Sequence, residues 1–520
     1  AFAIHDRDSG RVTLARDRLG EKPLVYGWQG EGRAATFLFG SDLAALRAHP
    51  ACGRALNRAA VVQFMRHGHV GEALTIHEGL SKLPAGCIAE IGREDAAPVI
   101  SRYWSAVEVA ARPVRAVAPE AAVAGLEAVL SDAVARQMVA DVPLGAFLSG
   151  GIDSSAVVAL MQARSERPVR TFSIGFHERR YDEAGHARAV AAHLGTEHAE
   201  LYVGDAELRA TVPRLQQVHD EPFADSSQIP TLLVAEMARA EVTVALSGDG
   251  GDELFCGYDR YRQGAAMMRR LGPLPRGLRA AAAGLVQAVP ARAWDGLITP
   301  LRAVPEGKEP HGQRLHRLAD YLRCGSVDEL HRLLVSRWRD PGVVVPGVAE
   351  PASLLAEAAP PRDGRPDAER MMLLDTLTYL PDDILTKVDR ASMHVSLECR
   401  APLLDHRVVE YAWSLPLGYK LRDGQSKWAL RQVLYRHVPP ALIERPKMGF
   451  EVPVGLWLRG ALRDWAEALL EPRRVAEGGI LDAGRLGTVW AEHLSGRFNH
   501  GLRLWNVLMF LAWQEAQAGR

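Results

Sequence analysis

Residues Leu144–Ser155 read LGAFLSGGIDSS. An apolar run ends at Leu148, Ser149, Gly150 and Gly151 let the backbone turn tightly, and Asp153, Ser154 and Ser155 are residue types that open helices. Peptide N–H groups, a helix N-terminus and serine hydroxyls converging on one point make a cradle for phosphate or pyrophosphate. The pattern is not a Walker A loop, since GxxxxGK(S/T) is absent and no lysine follows the glycines. An α/β-hydrolase elbow is excluded as well, because Ser149 lacks the GxSxG frame.

A second segment, Val242–Tyr261 (VTVALSGDGGDELFCGYDRY), repeats the design: an apolar run to Leu246, a turn at Ser247 and Gly248, then acidic residues at a helix entrance. Two such turns are expected to share one rim of a sheet. Of the four carboxylates here, Glu253 and Asp259 read as solvated charge or complements to the helix dipole, whereas Asp249 and Asp252 are candidates for chemistry. Magnesium bridges phosphate oxygens to one or two protein carboxylates, and the pair that suits it is Asp153 with Asp252.

The elements around these turns are legible in the pattern. From Val142 onward short apolar strands (Leu144–Leu148, Val169–Ile174, Ala199–Val203, Val242–Leu246) alternate with helices that start near Asp153, Asp182 and Asp252. Strands alternating with helices imply an α/β fold with a parallel, doubly wound sheet, whose ligands bind outside the carboxyl ends of the strands. Residues from about 265 onward read as mostly helical, with Pro-rich loops near 290–311 and 338–366. Residues 1–112 carry short alternating runs separated by Asp, Gly and Pro turns, a β-rich pattern. A Pro-containing stretch without a periodic face, 113–120, is the expected linker, and a helical pattern over Ala121–Val139 opens the larger domain, 121–520.

With 520 residues the chain exceeds a single small module. Its 62 basic residues against 63 acidic ones leave no global basic field, so a nucleic-acid or membrane-surface partner is not expected and any anion site must be local. Five scattered cysteines, without CxxC spacing, fit a reducing cytoplasm, and Cys52 and Cys87 read as buried, inert thiols. No apolar run is long enough for a membrane helix. The chain opens Ala-Phe-Ala-Ile, without Met and already inside an apolar run, and is expected to be a fragment.

The two glycine turns resemble the N-type ATP pyrophosphatases, and more closely the glutamine-dependent asparagine synthetase family. In that family SGGxDSS is the pyrophosphate loop and an SGxGxDE-type turn follows it, here Ser149–Ser155 and Ser247–Glu253. Leu380–Asp405 (LPDDILTKVDRASMHVSLECRAPLLD) and Glu444–Pro453 (ERPKMGFEVP) are similar to its later signature segments. Near the start, ARDRLGEKPLVY (Ala15–Tyr26), FGSDLAAL (Phe39–Leu46) and KLPAG (Lys82–Gly86) resemble the later strands of its glutaminase domain.

The resemblance implies an adenine nucleotide α-hydrolase-like sheet, a mostly helical C-terminal part, and a partial Ntn-type glutaminase α+β domain before them. It implies ATP and Mg2+ as cofactors, with aspartate, ATP and ammonia or glutamine as small-molecule partners, and it allows a homodimer. Aspartate would be converted to an acyl-adenylate with release of pyrophosphate, and ammonia would displace AMP. ATP and pyrophosphate would be held by Leu148, Ser149, Gly150, Gly151, Asp153, Ser154, Ser155, Ile174, Ser247 and Gly248. Lys447 would bind phosphate, and Asp249, where well-known relatives carry Glu, would act at the amination step with a reach shorter by one methylene. Lys387, Asp389 and Arg390 would line the cleft, although an intrahelical ion pair explains them nearly as well. The family's glutaminase uses an N-terminal Cys, and its glutamine-binding residues precede the point where this sequence begins. The fragment is therefore expected to use ammonia and not glutamine. A same-family reaction on another carboxylate, such as a polysaccharide sugar acid or a peptide, is the alternative. A non-catalytic scaffold with a retained ATP-like site would bind nucleotide and release no pyrophosphate.

Overall fold

A computed structural model describes residues 1–520 except 33–34, 94, 178–181, 299–309, 356–363, 446–451 and 519–520. The chain divides into two compact units. One comprises Ala1–Asn57, Val70–Tyr258 and Met372–Val452, and the other Arg58–His69, Asp259–Met371 and Pro453–Arg520.

The first unit contains the sheets. β1 (Phe2–His5), β2 (Val12–Ala15), β6 (Cys87–Ile91) and β7 (Val99–Arg102) form a four-stranded antiparallel sheet in the order β1-β2-β6-β7. β3 (Val25–Gln29), flanked by β4 (Thr36–Gly40) and β5 (Ser81–Lys82), forms a three-stranded antiparallel one. Leu14, Tyr26, Cys87 and Ala89 from the strands and Leu24 and Leu83 beside them pack into a shared core, where their side chains lose water contact together.

Five parallel strands make the central sheet: β8 (Leu144–Phe147), β9 (Arg170–Phe176), β10 (Glu197–Val203), β11 (Val244–Leu246) and β12 (Glu398–Arg400). Their order is β10-β9-β8-β11-β12, so the winding reverses between β8 and β11. Ligands of such sheets bind where the order reverses, and the loops leaving β8 and β11 are the two glycine turns. The expected strands and helix starts fall within about two residues of the observed elements, with two differences. The helix from Asp252 lasts four residues, Gly251–Leu254, because Gly257 and the left-handed Cys256 end it. β12 lies in a stretch read as helical; three residues with one buried side chain carry too little period to register as a strand.

The second unit is helical among its described residues. Arg58–His67 and Gly501–Ala518 meet at Phe64 and Phe510, whose ring centroids lie 6.3 Å apart. The buried Asn506 amide donates to the carbonyls of Phe64 and Met65 at 3.3 and 3.2 Å, which satisfies the amide N–H where it would be costly to leave unmet. No helix among the described residues is long and apolar enough to cross a membrane. All five cysteines are free and buried, and burial pushes the Cys52 and Cys87 thiols up, as inert thiols require.

Candidate active site

The turn after β8 is held by its own serines. Gly151 N–H donates to Ser149 Oγ at 3.2 Å, Ser149 N–H donates to Ser154 Oγ at 3.2 Å, and the two hydroxyls lie 3.0 Å apart. Gly150 has φ +69°, in the left-handed region, and a Cβ there would meet the backbone of Ala187 and His186 at 2.7 and 2.8 Å. The helix Ile152–Gln162 follows, with Asp153 in its first turn. Ser155 is fully buried and its hydroxyl has no hydrogen-bond partner among the described residues.

The turn after β11 lies on this one. A Cβ on Gly248 would stand 2.6 Å from Ser154 N and 2.9 Å from the Asp153 carbonyl carbon, so only hydrogen fits there. Ser247 is tied to β12 by its N–H to Arg400 O at 2.8 Å, which seats the turn at the reversal point. Leu148, just past the end of β8, and Ile174, inside β9, are buried in the core.

Asp153 and Asp252 converge as a cation pair would need, and a cation already joins them: Lys427 Nζ pairs with Asp153 Oδ2 and lies 2.7 Å from Asp252 Oδ1. Burial works against the Lys427 charge, but the two carboxylates outweigh it and raise its pKa. Two carboxylates closing on one positive centre, beside the glycine turns, are a donor set that Mg2+ takes. Among the described residues no cluster of three or more His, Cys, Asp or Glu could hold a metal by itself, so water and phosphate oxygens would complete the shell.

Asp249 is part-buried. Burial pushes its carboxyl up, the Ser247 hydroxyl and the Lys387 ammonium pull it down, and Asp252 adds to the rise. Lys387 is buried and donates to Asp225 Oδ2 at 2.7 Å and Ser227 Oγ at 2.8 Å. The intrahelical explanation of Lys387, Asp389 and Arg390 therefore gives way. Asp389 accepts from Lys22 Nζ at 2.7 Å, and Arg390 lies 3.6 Å from Asp220 Oδ2 and donates to Ser41 O at 2.5 Å. Glu253 is also corrected: it is 1% exposed, accepts from Tyr258 OH at 2.8 Å, and burial pushes it up to about 7. Asp259, by contrast, is exposed and pairs with Arg262. Lys447 lies outside the described residues.

Sequence reasoning missed Lys427, whereas Glu221 and Asp225 lie in a turn-rich segment, Glu221–Ser227, that reads as an ordinary loop with polar residues available to face substrate. Glu221 accepts from Ile76 N–H at 2.6 Å and pairs with Lys82 at 2.6 Å, tying the loop 219–227 to the N-terminal segment. Only the scarcity of lysine, seven in the chain, pointed toward Lys427.

Protein-family comparison matches residues 125–515 to asparagine synthase and residues 1–104 to a glutamine amidotransferase domain. A putative glutamine-hydrolysing asparagine synthetase of Mycobacterium tuberculosis H37Rv is 35% identical, the match covering 99% of this chain and 76% of that protein. Asparagine synthetase 1 of Bacillus subtilis is 28% identical over the same shares, and a Penicillium rubens protein named amidase chyE is 25% identical over 93% of this chain and 73% of its own. Over nearly all of its length, then, this chain belongs to the asparagine synthase family.

Proposed function

We propose that the chain makes an amide from a carboxylic acid, ATP and ammonia, with aspartate as the acid and asparagine, AMP and pyrophosphate as products. The observation that carries the reading is the meeting of the two glycine turns, with Gly248 against the Ser154 amide at the winding reversal. In this reading the architecture is a doubly wound, adenine nucleotide α-hydrolase-like domain over residues 121–520. An Ntn-type glutaminase segment over 1–112 precedes it, joined by the linker 113–120. ATP as substrate and five free cysteines suit a reducing cytoplasm.

The phosphates of ATP lie against the amides of Gly150 and Gly151 and the hydroxyls of Ser149, Ser154 and Ser155, with the helix Ile152–Gln162 presenting its positive end. Leu148 and Ile174 would border the adenine. Asp153 and Asp252 are the residues that would hold Mg2+, which when bound neutralises phosphate oxygens against an anionic nucleophile. The substrate carboxylate oxygen attacks the α-phosphorus, the bond to the β-phosphate oxygen breaks, and pyrophosphate leaves. Charge repulsion between the two anions is the main barrier, and oriented amides at the turn lower it without reorganising. Ammonia then attacks the acyl carbon and AMP departs. Asp249 would take the proton that nitrogen loses, a role its raised pKa favours over an ordinary aspartate. Lys447 would complete the phosphate contacts.

With ATP, Mg2+ and ammonia supplied, aspartate is expected to give pyrophosphate and asparagine in equal amounts. Pyrophosphate with a sugar acid or a peptide but not with aspartate would move the assignment to another carboxylate, a reading the similarity to the Penicillium amidase keeps open. Nucleotide binding without pyrophosphate from any acid would overturn the catalytic reading.

A further inference from the structure

Lys427 is the least expected part of the site. Its side chain is buried, at 5% exposure, yet it carries a charge between two carboxylates that come from different strands' turns. Its backbone sits at φ +58°, ψ +30°, a left-handed conformation that a lysine adopts at a cost. That conformation is enforced from both sides: Lys427 N–H donates to Phe255 O at 2.9 Å, and Lys427 O accepts from Arg431 N at 2.8 Å. Gly257 makes room for it, since a Cβ there would collide with both the Asp252 carboxylate and the Lys427 Cε. The left-handed backbone, the two hydrogen bonds that enforce it and the space left by Gly257 together aim one ammonium at the position between Asp153 and Asp252.

That position is the one a divalent ion would need. We propose that Lys427 is a resident counter-ion that closes the Asp153–Asp252 pair to divalent metal until phosphates arrive, so that metal enters the site only together with the phosphate chain. The inference rests on the reading above, in which these carboxylates serve a metal during adenylation. Its physical basis is charge and coordination. A divalent ion placed beside a fixed ammonium in a part-buried site is repelled by it, and two carboxylates alone leave most of an octahedral shell to water. Phosphate oxygens change both terms: they add ligands for the metal, and they offer the ammonium a new partner within reach of its flexible stem. Lys427 is therefore a positioning residue, acting on the carboxylates rather than on the substrate carbon.

The experiment is calorimetric titration of MgCl2 into the full chain, without nucleotide and then with saturating inorganic pyrophosphate, the dilution of Mg2+ into pyrophosphate alone being subtracted. Wild type is expected to bind Mg2+ at least about tenfold more weakly without pyrophosphate than with it. Lys427→Met is expected to bind Mg2+ alone about tenfold more tightly than wild type, Lys427→Arg to bind like wild type, and Asp252→Asn added to Lys427→Met to remove the gain. A merely structural lysine would not raise metal affinity when deleted. Equal Mg2+ affinity in wild type and Lys427→Met, or equal gains from Met and Arg, would overturn the proposal. If Lys427→Met does not fold, Lys427→Gln takes its place with the same expected gain and the same overturning result, and in wild type Mg2+ binding as tight without pyrophosphate as with it overturns the proposal by itself. Pyrophosphate release from ATP and aspartate by wild type tests the underlying reading separately, so the two failures are distinguishable.

Discussion

Gly248→Ala is expected to lower aspartate-dependent pyrophosphate release by at least about a hundredfold while leaving a folded protein. The added methyl would stand 2.6 Å from Ser154 N, 2.9 Å from the Asp153 carbonyl carbon and 3.0 Å from Asp153 Cβ. Two of these three atoms are backbone, so no flexible side chain can swing away. Either the turn after β11 lifts off or the start of the helix Ile152–Gln162 shifts, and each movement displaces the phosphate cradle from the carboxylates. Misplacement on the order of 1 Å is enough to cost two orders of magnitude in rate, whereas the stability cost of such overpacking is about 1–3 kcal/mol. Gly185→Ala is the matched control. That glycine lies in the helix Ala184–Leu194 with nothing within 4 Å of a new Cβ. Alanine there should stabilise by up to about 1 kcal/mol and leave the rate unchanged. The measurements are turnover by pyrophosphate release and the urea midpoint of each variant. Wild-type turnover in Gly248→Ala would mean that the contact between the turns does not matter to the chemistry.

Lys387→Met should produce the largest loss of stability, about 3–5 kcal/mol at neutral pH, because it strands a buried carboxylate. In the wild type burial alone would push Asp225 up, but the Lys387 charge and the hydrogen bonds around it hold the carboxyl below the ordinary range. A depressed carboxyl contributes stability that is present above its unfolded pKa, near 3.9, and is lost as pH falls through the folded value. Without Lys387 the remaining influence of burial raises Asp225, and the sign reverses: the variant is penalised while Asp225 is ionised and recovers as acid protonates it. The gap between wild type and Lys387→Met should therefore narrow from pH 7 to pH 5, and adding Asp225→Asn should close part of it at pH 7. Urea denaturation of the three proteins at both pH values measures this. A gap that stays constant with pH would mean that the ion pair does not set the stability.

The glycine turns were legible because each is a local device. Strand, turn and helix start lie within a dozen residues at Leu144–Ser155, so residue type and spacing carry the geometry, and the same holds for Ser247–Asp252. The parallel direction of the strands followed from alternation with helices, except at β12, which is too short to show a period, and their order came from the structure. Glu253 was misjudged because an acidic residue beside two others at a helix start looks solvated in one dimension. Its burial comes from surroundings that include Tyr258 and Asp375.

What the sequence determined by itself, then, was the pair of glycine turns, the parallel sheet that carries them, and the carboxylates worth watching. The tertiary structure alone decided which cations meet those carboxylates. Lys427 stands 274 residues from Asp153, and Lys387 stands 162 from Asp225. No spacing rule reaches across such separations, since an ion pair requires only that two charged ends arrive at one place. Where they arrive is set by how strands β8, β11 and β12 and the helices after them pack, a property of the whole fold and of no single segment.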